Sequence, residues 1–289
     1  MKRYGRIQTT IFSKTEAIMK ISFLGCGAMG GALATAALTR GAALGKDVFL
    51  YDSDVKKAEA IAAETGCVVC GSELEAAEKS DVIFICVKPQ ITGIVAEKIK
   101  PEIEKGKVIV SIAAGVTIKS YLEIVGNDAK IVRMIPNLPA RAGLGITGAY
   151  FYNFGDNDAA LHDSIVEVVS KTGKVVTVKS EKLIDEMIAV TSSSPAYFCL
   201  MIETMADFGV KAGFTRKDAL LMAEQAMFGT AGYLIESGVH PAALKDDVCS
   251  PGGTTIAAVT ALDEAGFRKA ILEGMDACRK KSVKTEGYS

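Results

Sequence analysis

Residues 246–258 read DDVCSPGGTTIAA, which places one proline, two glycines and three hydroxyls within six positions, between two acids and an apolar run. Ser250 can cap a helix, and Pro251 at the first helical position gives up no needed N–H. Gly252 and Gly253 let a ligand reach bare backbone, while Thr254 and Thr255 add groups that donate or accept. The combination predicts a helix start that holds a small carboxylate beside a polar atom.

A second stretch, FLGCGAMGGALATAAL, sets Gly25, Gly27 and Gly30 in G-x-G-x-x-G register after an apolar run and before a helical one. Gly25 permits a tight turn, Gly27 a close approach of pyrophosphate, and Gly30 helix–strand packing. Phosphates then meet the helix start at Gly27, Ala28 and Met29, where free N–H groups and the dipole favour anions. Asp52 ends the next strand near the spacing expected of a carboxylate on a ribose hydroxyl. It would repel a 2′-phosphate, whereas Lys56 and Lys57 just downstream would offset that repulsion. The cofactor is therefore NADPH or NADH.

Three further segments end strands, where open α/β sheets bind ligands. Val87, Lys88 and Pro89 follow DVIFICV; Ala113 and Ala114 lie in SIAAG; Asn137 opens PNLPA. These small residues and Asn137 suit the wall of a nicotinamide pocket, with Asn137 also a candidate for binding substrate, and Lys88 could meet the cofactor or an anionic substrate. His162 and His240 are the only histidines, with no convincing acid partner near in sequence, so a His-dependent dehydrogenase or a His-rich metal site is disfavoured. No metal site is expected.

The elements that must position these groups fall into two parts. From Lys20 to Lys179, KISFLG, DVFLYD, DVIFICV, KVIVSIA, KIVRMIPN and KVVTVK alternate with helical patterns, the signature of a mostly parallel sheet covered on both faces. Beyond Glu181 only helical spacing continues. Met201, Met205, Phe208, Met222, Met227 and Phe228 spread over more than one helix face, which predicts packing against another subunit or a deep single-domain core. The expected fold is α/β: an N-terminal Rossmann domain with a doubly wound sheet over residues 19–180, then an all-α C-terminal dimerisation and substrate domain over 181–289. Residues 1–18, basic and hydroxyl-rich, read either as an extension before a second start at Met19 or as a transit-like segment.

With 33 basic against 34 acidic residues and no basic stripe, no nucleic-acid footprint is present. No apolar run approaches the ~18 residues of a membrane span, so a cytoplasmic protein without membrane partners is expected. Seven scattered cysteines fit reduced thiols; Cys67 and Cys70, flanking Val68-Val69 in a strand, should point to opposite faces.

In order and spacing, FLGCGAMG, VKPQ, SIAAG, PNLPA and above all DDVCSPGGTTIAA resemble the pyrroline-5-carboxylate reductases, over essentially the whole chain from Met19. The resemblance implies NAD(P)H-dependent reduction of (S)-1-pyrroline-5-carboxylate to L-proline, by dimers that often assemble into decamers. It also implies that Ser250 to Thr255 bind the substrate carboxylate and that the Thr255 hydroxyl meets the ring nitrogen. Thr255 and Lys88 are the candidate catalytic residues. Two positions depart from the family pattern. Leu138 stands where the family has threonine, and Ser192-Ser193-Ser194 replaces a G-S-G, a costly change if that backbone needs positive φ.

Two rivals remain distinguishable. A β-hydroxyacid dehydrogenase would need a catalytic lysine with an asparagine one turn later, but Lys182 is followed at i+4 by Glu186. A non-catalytic NAD sensor would have no use for the cradle at Ser250 to Thr255.

Overall fold

A computed structural model describes residues 19–284, with side chains to residue 282; residues 1–18 lie outside the described residues. Eight strands form one sheet: β1 (Ile21–Leu24), β2 (Val48–Tyr51), β3 (Val68–Val69), β4 (Val82–Ile85), β5 (Val108–Ser111), β6 (Ile131–Pro136), β7 (Gly145–Tyr152) and β8 (Gly173–Thr177). Their order is β3-β2-β1-β4-β5-β6-β7-β8. Every neighbouring pair is parallel except β6 with β7, so the last two strands run against the first six.

The strands alternate sides with a period of two. Ile21, Phe23, Val82, Phe84, Val108, Val110, Val132 and Met134 build one core with α1 (Ala28–Thr39), α2 (Val55–Thr65) and α6 (Ala159–Ser170). Leu24, Ile83, Ile85, Ile109 and Ile131 build the other with α3 (Glu73–Glu78), α4 (Thr92–Ile103) and α5 (Ile118–Val125). Phe23 stacks on Phe84 at 4.7 Å. Cys67 joins the first core and Cys70 the second, on opposite faces of the sheet. All seven cysteines are free, and burial pushes the thiols of Cys67 and Cys70 up.

β7 is a strand that the sequence pattern did not single out, its apolar residues being interrupted by glycines. Its sequence GITGAYFY carries glycines at close approaches: a Cβ on Gly148 would lie 2.3 Å from Met187 Sδ, and one on Gly145 2.6 Å from Ala140 Cα.

After β8 the chain is helical: α7 (Glu181–Met187), a π-turn (Ile188–Ser192), α8 (Ser194–Lys211), α9 (Arg216–Ser237), α10 (Pro241–Val248), α11 (Thr254–Glu264) and α12 (Phe267–Lys284). α7 is pinned to the sheet by Arg133, 2% exposed in β6, which donates to Glu181 Oε1 at 2.9 Å and to both oxygens of Asp185. Glu181 Oε1 also accepts the Ile118 N–H at 2.7 Å, so α5 is drawn into the same junction. Beyond α7 little is buried: Ala189, Thr191, Ser194, Ala206, Ala219 and Ala223. Phe208 (73%), Phe228 (59%), Met205 and Met222 face outward, and Met201 is half-buried. Among the described residues no helix is long and apolar enough to cross a membrane.

Candidate active site

The glycine turn is built by packing. Gly25 has φ +104°, and a Cβ there would lie 2.8 Å from the Cys86 carbonyl oxygen; one on Gly30 would lie 2.1 Å from the Gly25 carbonyl oxygen. Gly27 differs. It is the N-cap of α1, exposed, and a Cβ there would meet nothing within 4 Å, so its missing side chain leaves open space above the helix start. No side chain caps α1 and no acid stands in its first turn, which leaves the leading N–H groups for an anion. This cradle, which a Cβ would fill, fits a dinucleotide pyrophosphate. Ala28 is exposed beside it and Met29 half-buried.

Asp52 closes the turn from β2. One carboxylate oxygen accepts the Cys26 N–H at 2.7 Å and the other the Asp54 N–H at 2.8 Å. Lys57 Nζ stands 3.9 Å from Asp52 and 3.5 Å from Asp54, while Lys56 is exposed. A cavity of about 500 Å³ runs along α1, with Gly27, Ala28, Lys57, Arg40 and Arg141 among its lining and no carboxylate residue. Sequence reasoning missed Arg40 and Arg141; the only signal was that Arg141 closely follows PNLPA. Arg40 donates to the carbonyls of Lys171 (2.6 Å) and Ala142 (3.3 Å). The Cys26 thiol inside the turn is pushed up to about 12 by burial and then by Asp52, so it stays protonated.

At the carboxyl edge of β4, Val87 is half-buried while Lys88 and Pro89 are exposed, with Lys88 preceding a short 3₁₀ turn, Pro89–Ile91. After β5, Ala113 is buried and Ala114 exposed. The Ala113 N–H donates to Ser111 Oγ at 3.3 Å, and Ser111 Oγ pairs with Tyr121 OH at 2.8 Å. Burial pushes that phenol up to about 12.

Asn137 is anchored at both ends of its amide. It is 8% exposed; its Oδ1 accepts the Ile146 N–H at 2.9 Å and its Nδ2 donates to the Thr191 carbonyl at 3.1 Å. These two bonds to backbone fix the orientation of the side chain. Leu138 beside it is exposed. The serines at 192–194 meet no conformational penalty. Ser193 sits at φ −91°, and Asn153 is the only described non-glycine residue with positive φ.

The 250–255 segment is corrected. Ser250 is not the N-cap: α11 starts at Thr254, and Gly253, which has no side chain to cap with, holds the N-cap position. The Gly253 N–H donates to the Ser250 carbonyl at 3.0 Å, and Gly252 has φ +68°. Proline at the second and a positive-φ glycine at the third of four residues are what a type II turn requires. A Cβ on Gly253 would lie 2.3 Å from Ser250 Oγ. The turn delivers the chain to an uncapped helix start, with Ser250 and Thr254 exposed and Thr255 half-buried. The cavity beside Gly27 is lined by none of Ser250 to Thr255, nor by Asp52, Lys88, Ala113 or Asn137.

The histidines have other work. The His162 ring lies tilted by 41° against Phe151, centroids 4.1 Å apart, and its Nδ1 pairs at 3.0 Å with the adjacent Asp163, an acid neighbour that sequence spacing alone did not single out. His240 Nδ1 accepts the Ala242 N–H at the start of α10. Lys182 is exposed and Glu186 lies 3.9 Å from Arg279, so no lysine–asparagine pair forms on α7. Among the described residues no three His, Cys, Asp or Glu side chains group so as to hold a metal ion.

A mostly parallel sheet with an open glycine cradle at its carboxyl edge, followed by helices with uncovered apolar faces, defines a dinucleotide-binding oxidoreductase with a helical dimerisation region. Residues 20–115 match the family model "NADP oxidoreductase coenzyme F420-dependent", and residues 181–285 match "Pyrroline-5-carboxylate reductase dimerisation". The chain belongs to the pyrroline-5-carboxylate reductase family. It is 39% identical to the Escherichia coli (strain K12) pyrroline-5-carboxylate reductase, over 92% of this chain and 97% of that one. It is 34% identical to the Pisum sativum enzyme, over 91% and 94%. Its structure is similar to that of the Coxiella burnetii reductase (TM-score 0.88, 25% identity, 93% and 99% covered). It is also similar to that of the Plasmodium falciparum pyrroline carboxylate reductase with NADP bound (0.80, 29%, 93% and 98%).

Proposed function

We propose that this chain reduces (S)-1-pyrroline-5-carboxylate to L-proline with NADPH or NADH, the last step of proline biosynthesis. The observation that carries the reading is the Ser250–Gly253 turn, which hands two threonines to an uncapped helix start in a chain that also has the nucleotide cradle at Gly27.

The cofactor side is formed by Gly25, Gly27, Ala28, Met29 and Gly30, by Asp52 on the ribose, and by Val87, Lys88, Pro89, Ala113 and Ala114 along the carboxyl edge. The nicotinamide, when bound, supplies the hydride to the imine carbon. On the substrate side, Ser250 and Thr254 offer hydroxyls to the carboxylate, Gly252 and Gly253 keep the backbone accessible, and the first-turn N–H groups of α11 add the positive end of the helix. Thr255 orients the ring by hydrogen bonding its nitrogen. A hydroxyl is too weak an acid to supply the proton unaided, so that proton comes from water or arrives with an imine already protonated. Lys88 adds positive potential for an anionic partner. Asn137 shapes the wall.

Because the helical region that carries the loop leaves its apolar faces uncovered in one protomer, we assign the loop of one subunit to the cradle of its partner. The uncovered apolar faces of α8 and α9 support a homodimer, with a decamer as the further assembly. Seven free thiols support a cytoplasmic setting.

The reading is tested by following nicotinamide oxidation by the purified protein with pyrroline-5-carboxylate, using NADH and NADPH in parallel. Turnover with either supports it. Cofactor binding without turnover overturns it.

A further inference from the structure

The single π-turn between α7 and α8 has a cause in the sequence. In an α-helix the Thr191 carbonyl would accept from residue 195, but Pro195 has no N–H. The chain widens instead: the Ser193 N–H donates to the Ile188 carbonyl at 2.9 Å, five residues back. The Thr191 carbonyl is then satisfied by two side chains, Asn137 Nδ2 at 3.1 Å and Ser194 Oγ at 3.2 Å, and Thr191 Oγ1 donates back to the Met187 carbonyl at 2.9 Å. Asn137, Thr191 and Ser194 are each at most 9% exposed.

The other end of the Asn137 amide holds the Ile146 N–H, so one side chain joins the carboxyl end of β6, the start of β7 and the π-turn. Ligands of open α/β sheets bind at that strand end. α8 is the first of the helices that lead to the Ser250–Thr255 loop. Arg133 fixes α7 to the same strand four residues earlier, so Asn137 sets the direction in which the chain leaves it.

We propose that Asn137 is a positioning residue for hydride transfer. Through the Thr191 carbonyl it fixes the π-turn, and with it the placement of the helical region against the carboxyl edge of the sheet, without touching substrate. This rests on the reductase reading given above. Ser194, one of the two serines that stand where the family pattern has glycine, is the second donor of the same clamp.

The test compares Asn137→Asp, which keeps an acceptor for Ile146 but loses the donor to Thr191, with Asn137→Gln, which keeps both functions on a longer arm, and Ser194→Ala. A misplacement of about 1 Å lowers a reaction rate by roughly 100-fold. Asn137→Asp should therefore lower kcat roughly 10- to 100-fold while the Kd for NADPH or NADH, read by nicotinamide fluorescence, stays within about twofold. Amide exchange should quicken over 188–196 and stay unchanged in β1 and β4. Asn137→Gln should recover part of kcat, and Ser194→Ala should move kcat and exchange the same way by a smaller factor.

Wild-type kcat in Asn137→Asp with faster exchange at the π-turn would overturn the proposal, as would parallel losses of kcat and cofactor affinity with a lower Tm. If Asn137→Asp does not fold, Ser194→Ala decides, and unchanged kcat there with faster exchange contradicts the clamp. Failure of the wild-type protein to turn over pyrroline-5-carboxylate would strike the reductase reading instead, while Kd and exchange would still report the clamp.

Discussion

Asp52 accepts the backbone N–H of Cys26 at 2.7 Å, so the acid that ends β2 also holds the glycine turn that follows β1. Its two oxygens are shared between Cys26 and Asp54, and Lys57 stands 3.9 Å away. The carboxylate thus fixes the cradle while opposing a 2′-phosphate. Asp52→Ala should weaken NADH binding by about tenfold, the value of one charge-assisted hydrogen bond of ~1.5 kcal/mol, and NADPH binding by less. Titration of both cofactors checks this; an unchanged ratio of affinities would remove Asp52 from cofactor selection.

Thr255 stands on the first turn of α11, half-buried. Thr255→Ala should lower kcat/KM for pyrroline-5-carboxylate roughly 10- to 100-fold, from loss of a hydrogen bond of ~1.5–3 kcal/mol to a charged partner. Steady-state kinetics decide, and wild-type turnover would refute the role.

A site shared between subunits predicts complementation. Gly27→Val meets no protein atom within 4 Å of its Cβ but fills the cradle, and Gly253→Val drives its Cβ into Ser250 Oγ. Each variant alone should be inactive. Subunits mixed by dissociation and reassociation should regain activity, because half of each mixed dimer's sites pair an intact cradle with an intact loop. A site contained in one chain would give no recovery.

Glu102 is 3% exposed on α4, and Lys105 and Lys107 hold its carboxyl below the usual carboxylate range. A lowered folded-state value means that this stability is present above the unfolded value, about 4.3, and is lost as pH falls through the folded one. Glu102→Gln should lower Tm at pH 7 and narrow the gap to wild type as pH drops below about 4. A constant gap across that range would exclude the ion cluster as its source.

The sheet was legible wherever apolar runs sat between turn signals: β1, β2, β4, β5, β6 and β8 all follow this rule, and a period of two put Cys67 and Cys70 on opposite faces. β7 was not, because Gly145 and Gly148 are there for close approaches to Ala140 and Met187, which no local pattern records. The glycine turn was readable because each glycine answers a local need. Asn137 was readable as a residue at a strand end, but its partner Thr191 is 54 positions away and exposes its carbonyl only because Pro195 follows. Ser250 was read as a cap from its type alone, whereas the Pro251-Gly252 pair makes a turn first and delays the helix to Thr254. Arg40 and Arg141 reach the cavity through tertiary packing of α1 against the segment after β6, which sequence spacing does not show.

The most direct measurement of the central claim is the product. Purified protein incubated with pyrroline-5-carboxylate and NADPH or NADH should form L-proline, resolved by chiral amino-acid analysis, one molecule for each nicotinamide oxidised. Nicotinamide oxidation without proline, or no oxidation by protein that binds the cofactor, would contradict it.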